Sequence, residues 1–219
     1  MAVRERFDSE LQNVEEQLIL LSTMAVTALT KSIESLMNHD TKAANEVIED
    51  DQKINDLEED LNDHVILTIA RQSPVATDLR RLIVSIKVAT DMERVGDYAV
   101  NIAKETIRIG DAELLPHIQQ IKQMHDLSTA MLLQVIEAFV EEDVVKAKEV
   151  AELDDQVDLL YGEVITKLMK ASVEHPENLS QITQLAFISR YMERSADHAT
   201  NIAEELFYLV RGQHFDLNK

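Results

Sequence analysis

Residues 92–105 read MERVGDYAVNIAKE, and residues 192–205 read MERSADHATNIAEE. Nine of the fourteen positions agree at an offset of 100. A second pair of blocks aligns in the same order at an offset of 103, with Val47 on Val150, Asp51 on Asp154, Ile54 on Val157 and Leu57 on Leu160. Chance is a poor account of two aligned blocks in one order, and the drift between the offsets fits a shorter turn in one copy. The chain therefore reads as a tandem duplication, one unit over residues 1–110 and the other over 111–219, related by a pseudo-twofold axis.

Apolar residues recur with helical period through both units. Leu11, Val14, Leu18, Leu21, Ala25, Ala28 and Leu29 make one stripe of a first helix, Asp8 to Asn38. A second helix runs from Thr41 to Arg71 and carries Val47, Ile54, Leu57, Leu61, Val65 and Ile69. Ser73-Pro74 ends it, because the residue before a proline is pushed out of helical geometry. A third helix follows from Val75 to Arg108, and Gly110-Asp111 is a stop and restart. The pattern then repeats with helices from Leu114 to Val140, Val144 to Val173 and Leu179 to Arg211, and Gly212 is placed to cap the last. Glycine (4) and proline (3) are scarce, so there are few turns. The predicted fold is all-α: six long helices in two tandem three-helix bundles.

Composition narrows the function. No cysteine is present, which removes disulfides, thiolate metal sites and cysteine nucleophiles. The formal charge of -20 opposes nucleic acid, whose binding relies on lysine and arginine neutralising phosphates. It opposes anionic lipid headgroups equally. The first residues, MAVRERFDSELQNVEEQ, have no signal-peptide core, and no stretch approaches the roughly 18 uninterrupted apolar residues of a membrane span. These features predict a cytoplasmic protein whose charge suits basic partners or bound cations.

The repeated block has the form ExxxDxxxN: Glu93, Asp97 and Asn101, then Glu193, Asp197 and Asn201. Steps of four set the three side chains along one helix face. Counting about 100° per residue from Leu82, Ile86 falls near 40°, Ala89 near -20° and Val100 near 0°, while Glu93 falls near 20° and Asp97 near 60°. The acids thus continue an apolar stripe, and the second unit repeats this with Ile182, Ala186, Glu193 and Asp197. The second and fifth helices add Asp51 and Asn55, and Asp154 and Asp158, each four apart. Buried carboxylates need partners. A divalent or iron-type cation, or a small cluster, would resolve their repulsion. The plain alternative is a solvated or salt-bridged acidic surface. Arg94 and Arg194 adjoin the acids but, as neighbours in sequence, point about 100° away on the helix, and pairing with acids on another helix stays open to them.

Enzymatic rivals lack their signatures. A carboxylate-bridged di-iron site needs Glu-x-x-His on two helices, and none of the seven histidines has glutamate three residues before it. His198 is matched by Tyr98 in the first unit and is not expected to be a ligand. No glycine-rich phosphate loop or G-x-S-x-G elbow occurs. A second apolar stripe on the third helix, Val84, Val88, Val95 and Ile102, marks it as central in a bundle or as an interface.

The run Ala70-Arg71-Gln72-Ser73-Pro74-Val75-Ala76-Thr77-Asp78-Leu79-Arg80, with the block from Glu93 to Ile102, resembles the central segment of PhoU proteins. The block from Met192 to Ala203 looks like that family's repeat, while Ser172 to Leu179 has no RQxPVAxDLR counterpart. The resemblance implies two three-helix bundles, a homodimer, and an accessory regulator instead of a catalyst. It implies repression of phosphate uptake and of the phosphate-starvation response, through a phosphate-specific ABC transporter and a sensor histidine kinase. Contact with the membrane is then only through those proteins. It implies metal on the acidic motifs, with Glu93, Asp97, Glu193 and Asp197 the foremost ligands and Asp51, Asn55, Asp154 and Asp158 behind them. Arg71, Asp78 and Arg80 would serve a partner surface or pin the turn between helices. A carboxylate-bridged metalloenzyme and a plain helical adaptor remain the other readings.

Overall fold

The computed structural model describes residues 2–115 and 118–217. Six helices follow one another: α1 (Ala2–Met37), α2 (Thr41–Gln72), α3 (Ala76–Ile109), α4 (Ile118–Glu141), α5 (Val144–Glu174) and α6 (Leu179–Arg211). A single 3-10 turn, Pro176–Asn178, joins α5 to α6. Helix α1 starts at Ala2, earlier than the expected Asp8, because helix-compatible residues continue upstream of the apolar stripe. Helix α4 starts at Ile118, later than the expected Leu114. Leu114 and Leu115 belong to the connection, where Gln181 holds them: its side chain accepts from Leu115 N and donates to Glu113 O.

The duplication is written into the turns. Asp40 caps α2 by accepting from Ala43 N, and Asp143 caps α5 by accepting from Val145 N and Lys146 N. The residues just before these caps, His39 (φ 53°) and Glu142 (φ 54°), are both left-handed. In both turns the Asp amide reaches back five residues, Asp40 N to Ser35 O at 2.8 Å and Asp143 N to Ala138 O at 2.9 Å. This is the helix-ending geometry that satisfies orphan carbonyls. Gly212 is left-handed (φ 71°) after α6, as its predicted capping role requires, while Ser73 before Pro74 ends α2 in the left-handed region and not in the extended one that a following proline favours.

Helices α1, α2 and α3 pack on one another, as do α4, α5 and α6. The two bundles then join through α3 against α6 and α1 against α4, which leaves α2 and α5 outermost. Both apolar stripes of α3 are consumed by this arrangement. Leu82 and Ala89 are buried on one side, and Val84, Val88, Val95 and Ile102 on the other. The stripe is therefore core within the chain. One continuous apolar cluster runs through both units. Removing a Leu or Ile side chain from water contributes about 1.5–3 kcal/mol, so Leu21, Leu61, Leu82, Leu132 and Leu185, all fully buried, are major contributors to the stability of the core.

Among the described residues one helix, α1, is long and apolar enough to cross a membrane by length and composition. Half of its most apolar stretch is buried inside the fold. Its apolar side chains, Leu18, Leu21, Ala25 and Leu29, serve the core.

Candidate functional site

The acids of each unit meet where the outer helix lies against the inner one. In the first unit α2 approaches α3 closely at Gly96, where a Cβ would stand 3.2 Å from two atoms of Ile54 and 3.7 Å from Asp51 Oδ1. Ile54 is buried there, so Asp51 and Asn55 beside it are carried towards Glu93 and Asp97. Asn55 Nδ2 donates to Asp51 Oδ2 at 3.4 Å. Burial raises the Asp51 carboxyl above the usual carboxylate range, and the charge of Asp97 raises it further. Burial likewise raises Glu93, helped by Asp97, Glu58 and Asp51 and opposed by Arg94.

The second unit repeats the plan with harsher electrostatics. Glu193 is 8% exposed, and burial followed by the charge of Asp197 pushes its carboxyl up to about 7. Burial raises Asp197 as well, with Arg194 opposing and Asp158 assisting. Asp154, Asp158 and Asp197 line one cleft together with Lys148, Ala151 and Leu217. Asp154 is buried at 5% exposure.

The expected residues thus fall on two faces, but not uniformly. Asp51, Asn55, Glu93, Asp97 and Asn101 are half-buried, as is Asp197. Asp158 and Asn201 are exposed, contrary to an inward-facing set, because each lies at the solvent edge of its helix face. Arg94 and Arg194 pair on their own helix. Arg94 Nη1 donates to Asp97 Oδ2 at 2.8 Å, and Arg194 Nη1 to Asp197 Oδ2 at 3.5 Å, both one turn on. A step of three residues returns the long guanidinium to the acid's side of the helix.

Among the described residues no three histidine or acidic side chains lie together closely enough to hold one metal ion as they stand. Two of the acids lean on a local donor, Asp97 on Arg94 and Glu193 on Arg190. The donor chemistry nevertheless fits a hard cation, since every candidate ligand offers oxygen. Asp51 Oδ1, Asn55 Oδ1 and Glu193 Oε2 are buried and take no hydrogen bond among the described residues. His198 is not on these faces. Its Nδ1 lies 2.7 Å from Asp91 Oδ1, and its Nε2 lies 3.4 Å from the Tyr98 hydroxyl, across the α3–α6 seam.

Sequence reasoning missed Glu58, which sits one turn past Asn55 on α2 and accepts from Thr90 Oγ1 at 3.1 Å. A step of three residues from Asn55, the other spacing that stays on one helix face, would have found it. Its counterpart at the offset of 103 is Tyr161, over whose ring the Arg190 guanidinium lies at 5.7 Å. An acid–hydroxyl pair in one unit is therefore an aromatic–cation pair in the other.

Of the partner-surface candidates, Arg71 is exposed at the end of α2, and Asp78 lies in the first turn of α3. Arg80 is engaged within the chain. Its Nη1 donates to Leu209 O at 3.1 Å, and its guanidinium lies over the Tyr208 ring at 5.4 Å.

A family described as the PhoU domain matches this chain twice, over residues 18–106 and 121–206. The chain belongs to the PhoU family. The starts of the two PhoU matches lie 103 residues apart and their ends 100 apart, the offsets read from the repeated blocks. A relative named phosphate-specific transport system accessory protein PhoU homolog, from Clostridium acetobutylicum, is 34% identical over 216 residues, covering 98% of this chain and 99% of that one. The crystal structure of PhoU from Pseudomonas aeruginosa superposes with a TM-score of 0.91 at 30% identity, covering 94% of this chain and 100% of that one. The phosphate transport system regulatory protein PhoU from Streptococcus pneumoniae gives 0.90 at 29% identity, over 96% and 99%. The six-helix, two-unit architecture is thus the PhoU architecture.

Proposed function

We propose that this chain is the accessory regulator of a phosphate-specific transport system and works without catalysis. It restrains phosphate uptake and the phosphate-starvation response by docking, as a cytoplasmic homodimer, on the phosphate-specific ABC transporter and on its sensor histidine kinase. Divalent or iron-type cations on the two acidic faces set the docking-competent shape. Glu93, Asp97, Asp51 and Asn55 hold cation on the first face, and Glu193, Asp197, Asp154 and Asp158 on the second, with Asn101 and Asn201 at the edges.

The observation that carries this reading is the doubled acidic face on a chain that aligns end to end with PhoU proteins. Carboxyls raised by burial and mutual repulsion are groups that a cation would relieve, and such relief is coupled to proton release. The pairing of Arg94 with Asp97 and of Arg190 with Glu193 favours a second reading, a plain helical adaptor whose acids are salt-bridged. A phosphatase reporter of the starvation response, read in abundant phosphate in cells lacking the gene, tests the regulator. High output, returned to low by the intact gene, is the expected result. Low output in the deletion contradicts the assignment.

A further inference from the structure

Beyond α6 the chain doubles back. Gly212, at φ 71°, makes a left-handed turn that L side chains rarely adopt. The next residues then retrace the helix in order. The His214 ring stacks on Tyr208 with centroids 4.1 Å apart, the Phe215 ring meets Phe207 at 5.4 Å, and Leu217 N donates to Glu204 Oε1 at 2.8 Å. The segment therefore runs antiparallel to α6, towards Asp197. At its far end Leu217 is half-buried and forms a side of the cleft that contains Ala151, Asp154, Asp158 and Asp197.

The hinge of this segment is held by the other unit. Arg80, at the start of α3, reaches the last turn of α6 through Leu209 O and the Tyr208 ring. Its guanidinium nitrogens lie 3.1 Å from where a Cβ on Gly212 would stand. The first unit ends differently. After Gly110 the chain leaves α3 and is tied to α6 through Gln181. The second acidic face thus has an apolar flank.

We propose that residues 213–217 form a displaceable strap that closes one side of the second acidic cleft, hinged at Gly212 and pinned there by Arg80 of the first unit. Residues 213–216 are exposed and lie outside any helix, so the strap can open locally while the bundles stay folded. Drawing Arg80 away from Leu209 and Tyr208 unpins the hinge and uncovers the cleft. The first unit thereby governs access to the acids of the second. The importance of that access rests on the cation reading given above, whereas the strap itself is tested without any cation.

The chain has no cysteine, so a single thiol can report on the cleft. Ala151→Cys places it beside Leu217 at a residue 8% exposed, and Ile48→Cys places a control at the equivalent position of α2. Maleimide labelling of the full chain is timed in metal-free buffer. Arg80→Ala, and separately Phe215→Ser with Leu217→Ser, should each speed labelling of Ala151→Cys on the order of tenfold and leave Ile48→Cys unchanged. No acceleration in the Phe215→Ser, Leu217→Ser chain overturns the strap, and none in Arg80→Ala overturns the pin. Equal acceleration at Ile48→Cys means general loosening and overturns both.

Discussion

Asp197 stands one turn beyond Glu193 on α6, and its charge adds to burial in holding the Glu193 carboxyl at about 7. Unfolding returns that group to the ordinary value of 4.5. Between these two values the folded chain binds more proton than the unfolded one, so stability falls as pH rises through this window. The full penalty is present above pH 7 and is on the order of 3 kcal/mol. Glu193→Gln should flatten the decline and raise the melting temperature at pH 8 more than at pH 5. Thermal unfolding monitored by circular dichroism across pH 4.5–8 checks this. An equal shift at both ends would remove Glu193 as the source.

Glu58 contributes to the raised Glu93 in the first unit through its own charge. Glu58→Gln keeps an acceptor for Thr90 but removes that charge. The Glu93 carboxyl should then titrate at lower pH, followed by its side-chain carbon signal in NMR. An unmoved titration would place Glu58 too far from Glu93 to matter.

The two Asp caps are independent of the acidic faces. Asp143→Ala leaves Val145 N and Lys146 N without their acceptor and should cost about 1 kcal/mol. Asp40→Ala removes one bond, to Ala43 N, and should cost no more. Urea unfolding of the two variants gives the comparison.

Two glycines should respond oppositely to alanine. Gly162 is inside α5 with nothing within 4 Å of an added Cβ, so Gly162→Ala should stabilise by up to about 1 kcal/mol. Gly212 is left-handed and crowded by Arg80, so Gly212→Ala should destabilise by about 1–2 kcal/mol. Melting temperatures that move in one direction for both would contradict the backbone assignment.

Much of this architecture was legible before any coordinates. Helical periodicity fixed the elements because each stripe, such as Val14-Leu18-Leu21-Ala25, buries against a neighbour. The repeated MER…D…A…NIA block disclosed the duplication directly. The α4 start was not legible, because Leu114 and Leu115 look helical and only Gln181, distant in sequence, holds them outside the helix. At the site, angular position placed Glu93 and Glu193 correctly on an inward face. It could not register that Asp158 and Asn201 lie at the solvent edge, nor that arginines reach acids on their own helix. Those outcomes depend on side-chain length and on which helix lies opposite. Glu58 and the chain reversal at Gly212 gain meaning only from neighbours that folding brings to them.

The most direct test of the proposed cation faces is elemental analysis of the chain purified without chelator, beside the Asp97→Ala, Asp197→Ala double variant. The account predicts bound divalent or iron-type metal in the first, and a loss of most of it in the second while the helical signal is unchanged. Equal metal content in the two proteins, or none in either, would contradict it.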